Sequence, residues 1–389
     1  MEKGGHVLSK TLTMFVLFIF FLNMLSAQCL DRMSQNISSE PPSQLEPPKF
    51  KNRFRRIILS IVLGIITGLI CALLFAFLVR HFVKHITRTP NLKGPVVFSP
   101  KISRKTLKSA LSNEPQLLGS SSNGKYYKAV LDNGLNVAVK RIEPFSDCSP
   151  GVQKRKIQQQ LENLASLRHR NLVSLRAYVC ESCGYSLVYD YVPTGSLEDV
   201  MRRVRDNQLE LKWEFRLRIA VGIIKGLYYL HFSCEPRRLH CNLKPSNVIL
   251  DSEFEPRLAD CGLATILPNF VRASSGYNAP ECFQNCRYTD KSDIFSFGVI
   301  LGVLLTGRDP LDPFFGEATS GGSLGQWLRH LQQAGEVREA LDKSILGEEM
   351  EEDEMQMAVR IAVVCLSDLP ADRPSSDELV SMLTQLNSF

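Results

Sequence analysis

Apolar and polar positions divide this chain into five stretches. Behind Lys3 and Lys10 lies an apolar run over 12–25, closed by the small residues Ser26 and Ala27. That layout predicts a secretory signal peptide over 1–27. A first membrane span is the rival reading, but about 15 apolar residues fall short of the roughly 20 needed to cross hydrocarbon. Residues 28–56 are polar, with proline pairs at Pro41-Pro42 and Pro47-Pro48. They hold too little apolar surface to fold alone and read as a short external stalk. An uncharged apolar run over 57–79 follows, long enough to span a bilayer with some tilt. Residues 80–112 are basic and interrupted by Pro90, Pro95 and Pro100, which predicts a juxtamembrane linker. From 113 to 386, strand-period and helix-period patterns succeed one another without an internal repeat.

Within the apolar run, Ser60, Gly64, Gly68, Ala72 and Ala76 recur at every fourth residue. Such a seam of small side chains lets the backbone of a second helix approach closely, supplying packing where lipid offers no hydrophobic drive. The plainer alternative is that Gly and Ala are simply common in membrane helices. Charge does not orient the span, because Lys49, Lys51, Arg53, Arg55 and Arg56 on one side rival Arg80, Lys84 and Arg88 on the other. Orientation therefore rests on the leader and on the domain that follows.

The formal charge of +6 belongs to one segment. Residues 49–113 carry many Lys and Arg and no acid, so the rest of the chain is net acidic. A basic stretch beside an apolar run predicts attraction to anionic lipid headgroups and argues against nucleic acid as a partner. Of the 11 cysteines, Cys29 precedes the span and Cys71 lies within it. The others fall on the side assigned to a reducing cytosol, so no disulfide framework is expected. Cys29 is either unpaired or bridged to another chain. Cys180 with Cys183 has metal-type spacing and Cys282 with Cys286 loosely so, but neither has a matched second pair, and ordinary thiols are expected. Asn36-Ile37-Ser38 is a glycosylation acceptor. The acidic run 348–354 reads as a solvated loop leading into a helix.

Candidate chemistry begins at Val137-Ala138-Val139-Lys140, an alternating strand ending in lysine, downstream of a loop from Gly119 to Gly124 and a turn at Asn133-Gly134. There follow His240-Cys241-Asn242-Leu243-Lys244-Pro245-Ser246-Asn247, then Asp260-Cys261-Gly262, Ala279-Pro280-Glu281, Asp293 with Ser296-Phe297-Gly298, and Arg373. That order and spacing resembles the protein kinases. HRNLV at His169, LVYDYVPTGSL at Leu187 and SGYNAPE at Ser275 are similar to plant receptor-like kinases in particular. The resemblance implies an α+β bilobal fold. Its small β-rich lobe would cover 113–191, with a hinge at 190–193 and a large helical lobe beyond Gly195.

Departures from the pattern matter as much as the matches. Asn242 stands where a working kinase carries the aspartate that accepts the substrate hydroxyl's proton, and an amide cannot be that base. Gln160 occupies the position of the glutamate that pairs with the strand lysine; Glu162 substitutes only if the helix register differs. Ser121 replaces the middle glycine of the loop, where a side chain hinders close approach to phosphate. Tyr126 replaces the valine that covers adenine. Cys241 replaces the arginine that couples to activation-loop phosphate, and the 260–281 segment is short, although Ser274 or Ser275 remain modifiable.

Gly119, Gly124, Ala138, Lys140, Tyr189, Val192, Lys244, Asn247 and Asp260 match nucleotide-binding positions, with Asn247 and Asp260 matching those that hold magnesium. ATP and Mg are thus one expectation, and an internal Lys140–Asp260 ion pair is the other. For an inactive member with a stalk in place of an ectodomain, the resemblance implies a scaffold or co-receptor at the plasma membrane. It would be type I, reached through the endoplasmic reticulum, with the kinase-like domain in the cytoplasm. The implied partner is a kinase-less leucine-rich-repeat receptor protein joined through the membrane helix, in perception of CLE-type peptides that restrain meristem stem cells. Self-association or pairing with other receptor-like kinases is a further possibility. A weakly active Ser/Thr kinase and an escort delivering a partner receptor to the surface are the alternatives.

Overall fold

A computed structural model describes residues 49–86, 94–112, 116–121, 124–142, 152–180, 184–267, 276–285, 287–318, 322–346 and 349–386. The segment 1–27 read as a signal peptide, and Cys29, Asn36, Cys183, Ser274, Ser275 and Cys286, lie outside them. The chain divides into two units, the second beginning at Thr89.

The first unit carries helix α1, Lys49–Ile86. Its segment Ile57–Arg80 has a mean hydropathy of 2.9 and none of it is buried by the rest of the protein, so it is one helix long and apolar enough to cross a membrane. The helix starts within the predicted stalk and runs past the predicted span, because no proline interrupts residues 49–86. The seam at Ser60, Gly64, Gly68, Ala72 and Ala76 is exposed. A Cβ added at Gly64 or Gly68 would meet nothing within 4 Å. The Ser60 hydroxyl donates to the Ile57 carbonyl at 3.0 Å, so the polar group is satisfied within the helix.

In the second unit, six antiparallel strands form the small lobe: β1 Val96–Val97, β2 Gln116–Ser121, β3 Gly124–Val130, β4 Asn136–Ile142, β5 Leu175–Cys180 and β6 Tyr185–Asp190, in the order β1-β5-β6-β4-β3-β2. The period-2 alternation in β4 sends Val137 and Val139 to one face and Lys140 to the other. Helix α2, Arg104–Ser112, covers the first face with Leu107 and Ala110, against Val137, Val139, Ala177 and Val188. Helix α3, Val152–Ala165, covers the second with Ile157, Leu161 and Leu164, against Leu175, Leu187 and Tyr189.

The small lobe therefore begins well before residue 113. Most of the predicted linker is folded: β1 pairs with β5 and α2 closes a core. Ile102, Leu107 and Ala110 are the physical reason, since they put one apolar face on an otherwise basic segment.

The large lobe is helical. Its core is built on α5, Trp213–Tyr228, and α8, Asp290–Thr306, with α11, Glu349–Cys365, and α12, Ser376–Leu386, packed around them. Helix α4, Leu197–Arg205, precedes α5; between α5 and α8 in the chain come the short hairpin β7 Val248–Leu250 with β8 Pro256–Leu258, α6 Leu263–Ile266 and α7 Pro280–Asn285, and α9 Phe314–Ala318 and α10 Leu324–Ala334 follow α8. Helix α8 is apolar all round and, apart from half-buried Phe295, is buried from Ser292 onward. At Gly298 a Cβ would fall 2.7 Å from the Cys365 Cβ, so glycine is what lets α8 and α11 meet. Helix α11 takes in the acidic run from Glu349, where a loop was expected. Glu352 pairs with Arg338 at 3.3 Å and Glu354 accepts from the Trp213 indole at 3.0 Å, which stabilises the first turns.

Candidate functional site

Strands β3 and β4 set the upper wall of the cleft. Their register places Tyr126 opposite Lys140, so both side chains leave the same face of the sheet. The β2–β3 ladder continues as far as Ser121 opposite Gly124, with a bulge between Leu117 and Gly119. Gly124 is at φ 128° and a Cβ there would fall 2.1 Å from the Arg141 carbonyl oxygen, so glycine is obligatory. Gly119 has open space around it. Ala138 lies opposite Tyr189, and Val192 lies just beyond the end of β6. Burial raises the Tyr189 phenol well above its ordinary range, so it stays protonated.

The lower wall hangs from one carboxylate. Asp293, buried near the start of α8, accepts the backbone N–H of His240 at 2.7 Å and of Cys241 at 2.8 Å, and its Oδ2 lies 3.0 Å from His231 Nε2. Burial acts to raise the Asp293 carboxyl, but these bonds and the nearby histidines hold it below its usual value. The loop turns through Cys241 at φ 61° and presents Asn242, which is 1% exposed. Neither Asn242 Oδ1 nor Nδ2 has a hydrogen-bond partner among the described residues. The Asn247 amide donates to the Asn242 carbonyl at 2.7 Å, and the Asn247 carbonyl accepts from Ala259 N at 2.8 Å, so this residue pins the loop to the chain that leads into Asp260.

Asp260 sits at φ 62°, a conformation that aspartate tolerates better than most residues, and is 4% exposed. Its Oδ2 receives both the Lys140 ammonium and the Tyr126 hydroxyl, the latter at 3.0 Å. Lys140 Nζ also lies 4.8 Å from the centre of the Tyr126 ring. Burial lowers the Lys140 pKa, Asp260 pulls it back up, and the charge of half-buried Lys244 lowers it further.

Gln160 is on α3 and half-buried, while Glu162 faces solvent and accepts from Gln158 at 3.1 Å. The register therefore keeps Glu162 away from Lys140, and the substitution allowed for in the sequence does not occur. The carboxylate paired with Lys140 comes from Asp260. Lys140, Asp260 and Asn247 are thus each engaged by neighbours, while Asp260 Oδ1 has no hydrogen-bond partner among the described residues. Sequence reasoning singled out all three, together with Tyr126. The Tyr126–Asp260 bond joins residues 134 apart, a distance over which no local pattern carries a signal.

Below the cleft, Glu281 on α7 makes a bidentate pair with Arg373 at 2.7 and 2.9 Å. Among the described residues no group of three or more His, Cys, Asp or Glu side chains converges as metal ligands.

A protein kinase domain matches residues 112–383. Over 309 residues the chain is 71% identical to the inactive leucine-rich repeat receptor-like protein kinase CORYNE of Arabidopsis thaliana, covering 78% of this chain and 77% of that one. It is 36% identical over 318 residues to the leucine-rich repeat receptor-like serine/threonine/tyrosine-protein kinase SOBIR1 of the same plant, of whose length it spans 49%. Among solved structures, the pseudokinase domain of BIR2, an immune regulator of the RLK/Pelle family, superposes with a TM-score of 0.64 at 29% identity, covering 79% of this chain and 93% of that one. With a base position held by a buried amide and relatives of this kind, the chain belongs to the plant leucine-rich-repeat receptor-like kinase family, as an inactive, pseudokinase member.

Proposed function

We propose that this protein is a membrane-anchored scaffold and co-receptor that signals through the partners it holds and not through phosphoryl transfer. One observation carries the reading: the position of the proton acceptor is filled by Asn242, a buried carboxamide. Loss of a general base typically costs about 10² to 10⁴ in rate. The engagement of Lys140 with Asp260, and a glutamine at position 160, supports the same conclusion. Charge placement and positioning supply most of the catalysis in phosphoryl transfer, and here both are altered.

In this reading the leader 1–27 is removed in the endoplasmic reticulum and the stalk 28–56, glycosylated at Asn36, faces outward. The helix crosses the plasma membrane over 57–79, and the kinase-like domain lies in the cytoplasm. The Ser60, Gly64, Gly68, Ala72 and Ala76 seam packs against the helix of a kinase-less leucine-rich-repeat receptor protein, while the basic residues beyond the span meet anionic lipid. Likeness to CORYNE supports a role in perceiving CLE-type peptides that limit meristem stem cells.

The test is complementation of a plant lacking the protein. Lys140→Ala is expected to rescue fully, whereas Gly64→Leu with Gly68→Leu is expected to lose partner association and surface delivery. Turnover of a peptide substrate by the purified chain, at rates ordinary for active relatives, would overturn the scaffold reading.

A further inference from the structure

The cleft of this chain contains an aromatic side chain that the family pattern does not put there. Tyr126 belongs to β3 in the small lobe, and Asp260 follows β8 on the large-lobe side. A valine at position 126 carries no polar group and could not make the 3.0 Å bond that the tyrosine hydroxyl makes to Asp260 Oδ2. Because the acceptor is a carboxylate that is almost wholly buried, this bond is charge-assisted and escapes the screening that weakens surface pairs.

The ring contributes separately. Its centre is 4.8 Å from Lys140 Nζ, within the range in which an ammonium is attracted to an aromatic face. Lys140 is wholly buried, so the ring and the carboxylate together take the place of solvent around its charge. The cross-strand register fixes this geometry, because Tyr126 and Lys140 are direct partners in the β3–β4 ladder. One tyrosine thereby touches both charged groups that a nucleotide's phosphates and their cation would need.

We infer that Tyr126 is a built-in occupant of the nucleotide site: it ties the small lobe to Asp260 and holds the cleft closed against adenine nucleotides. The chain supplies from its own sequence the bridge between lobes that an active kinase obtains from its bound nucleotide. This goes beyond the scaffold reading and fails independently of it, since a chain that binds nucleotide and still lacks a base at position 242 remains a scaffold.

The experiment uses the full chain in lipid nanodiscs, titrated with a fluorescent trinitrophenyl analogue of ATP, with and without magnesium. The native chain is expected to show no saturable binding. Tyr126→Val is expected to gain it, with an affinity at least about 10- to 100-fold above the limit that the native titration sets, the range that corresponds to one lost hydrogen bond to a charged group. Tyr126→Phe keeps the ring and loses the hydroxyl, and its gain should be smaller. Because the valine variant removes packing as well, amide hydrogen exchange over residues 258–263 provides a second readout in the phenylalanine variant. Without nucleotide, exchange there should be faster than in the native chain. Equal nucleotide binding by the native and Tyr126→Val chains overturns the proposal, and so does unchanged exchange in Tyr126→Phe.

Discussion

Asn242 shows how little has to change at a single residue. Its loop keeps a complete set of supports: Asp293 holds the two preceding N–H groups, and Asn247 holds the Asn242 carbonyl. The scaffolding of a base is therefore in place without the base. Restoring the carboxylate is nevertheless expected to leave the chain inactive, since Lys140 remains bound to Asp260 and Tyr126 remains in the cleft. Asn242→Asp should yield no detectable peptide phosphorylation with purified protein. A rise to even a few per cent of an active relative's rate would show that the Lys140–Asp260 pair and Tyr126 do not block the chemistry. The chemistry at position 242 was legible in the sequence, because a motif fixes both the place and the role of the residue. What Tyr126 does was not, because its partner is distant in sequence and reaches it only through the tertiary fold.

At the level of elements, α2 is the clearest departure from what the sequence predicts. The segment is rich in lysine and arginine and preceded by prolines, and composition alone makes it a linker. Burial of Leu107 and Ala110 makes it a structural layer on the outer face of the small-lobe sheet. Three apolar positions spread over nine residues are a weak periodic signal, and the charges on the opposite face obscured it. The motif-bearing strands and helices were readable because each pairs a strong period with a fixed chemical marker. Leu107 is wholly buried, so Leu107→Ala is expected to cost about 2–4 kcal/mol, the range for a leucine removed from a core that relaxes partly. The midpoint of urea unfolding checks this, and a change within about 0.5 kcal/mol would return α2 to the status of a surface appendage.

The large lobe as a whole is tied together by Glu281 and Arg373. The guanidinium is buried, makes two bonds to the carboxylate, and also donates to the Lys291 carbonyl at 2.9 Å and the Ser367 carbonyl at 2.8 Å. Arg373→Ala leaves Glu281 with only the Ser292 hydroxyl as a side-chain donor and removes the guanidinium from the Lys291, Ser367 and Asp368 carbonyls, and is expected to destabilise the lobe by about 3 kcal/mol or more, measured by urea unfolding. Near-native stability would mean that the pair is dispensable. The same pair predicts acid sensitivity. Burial acts to raise the Glu281 carboxyl, but the Arg373 bonds outweigh it and hold the group below its unfolded value of 4.5. Its contribution is therefore present above about pH 4.5 and is lost as pH falls through the depressed folded value. Thermal unfolding followed from pH 6 to pH 3 should show a steeper decline for the native chain than for Glu281→Gln.

Arg373 also comes late in the chain, and α12 behind it inserts Leu379, Leu383 and Leu386 into the core. While the chain is being synthesised, the large-lobe core that α12 covers must wait, with its apolar face open, for residues 373–386 to leave the ribosome. A message cut short just before that point would yield no half-working protein, only an open helical assembly fit for a chaperone or a protease.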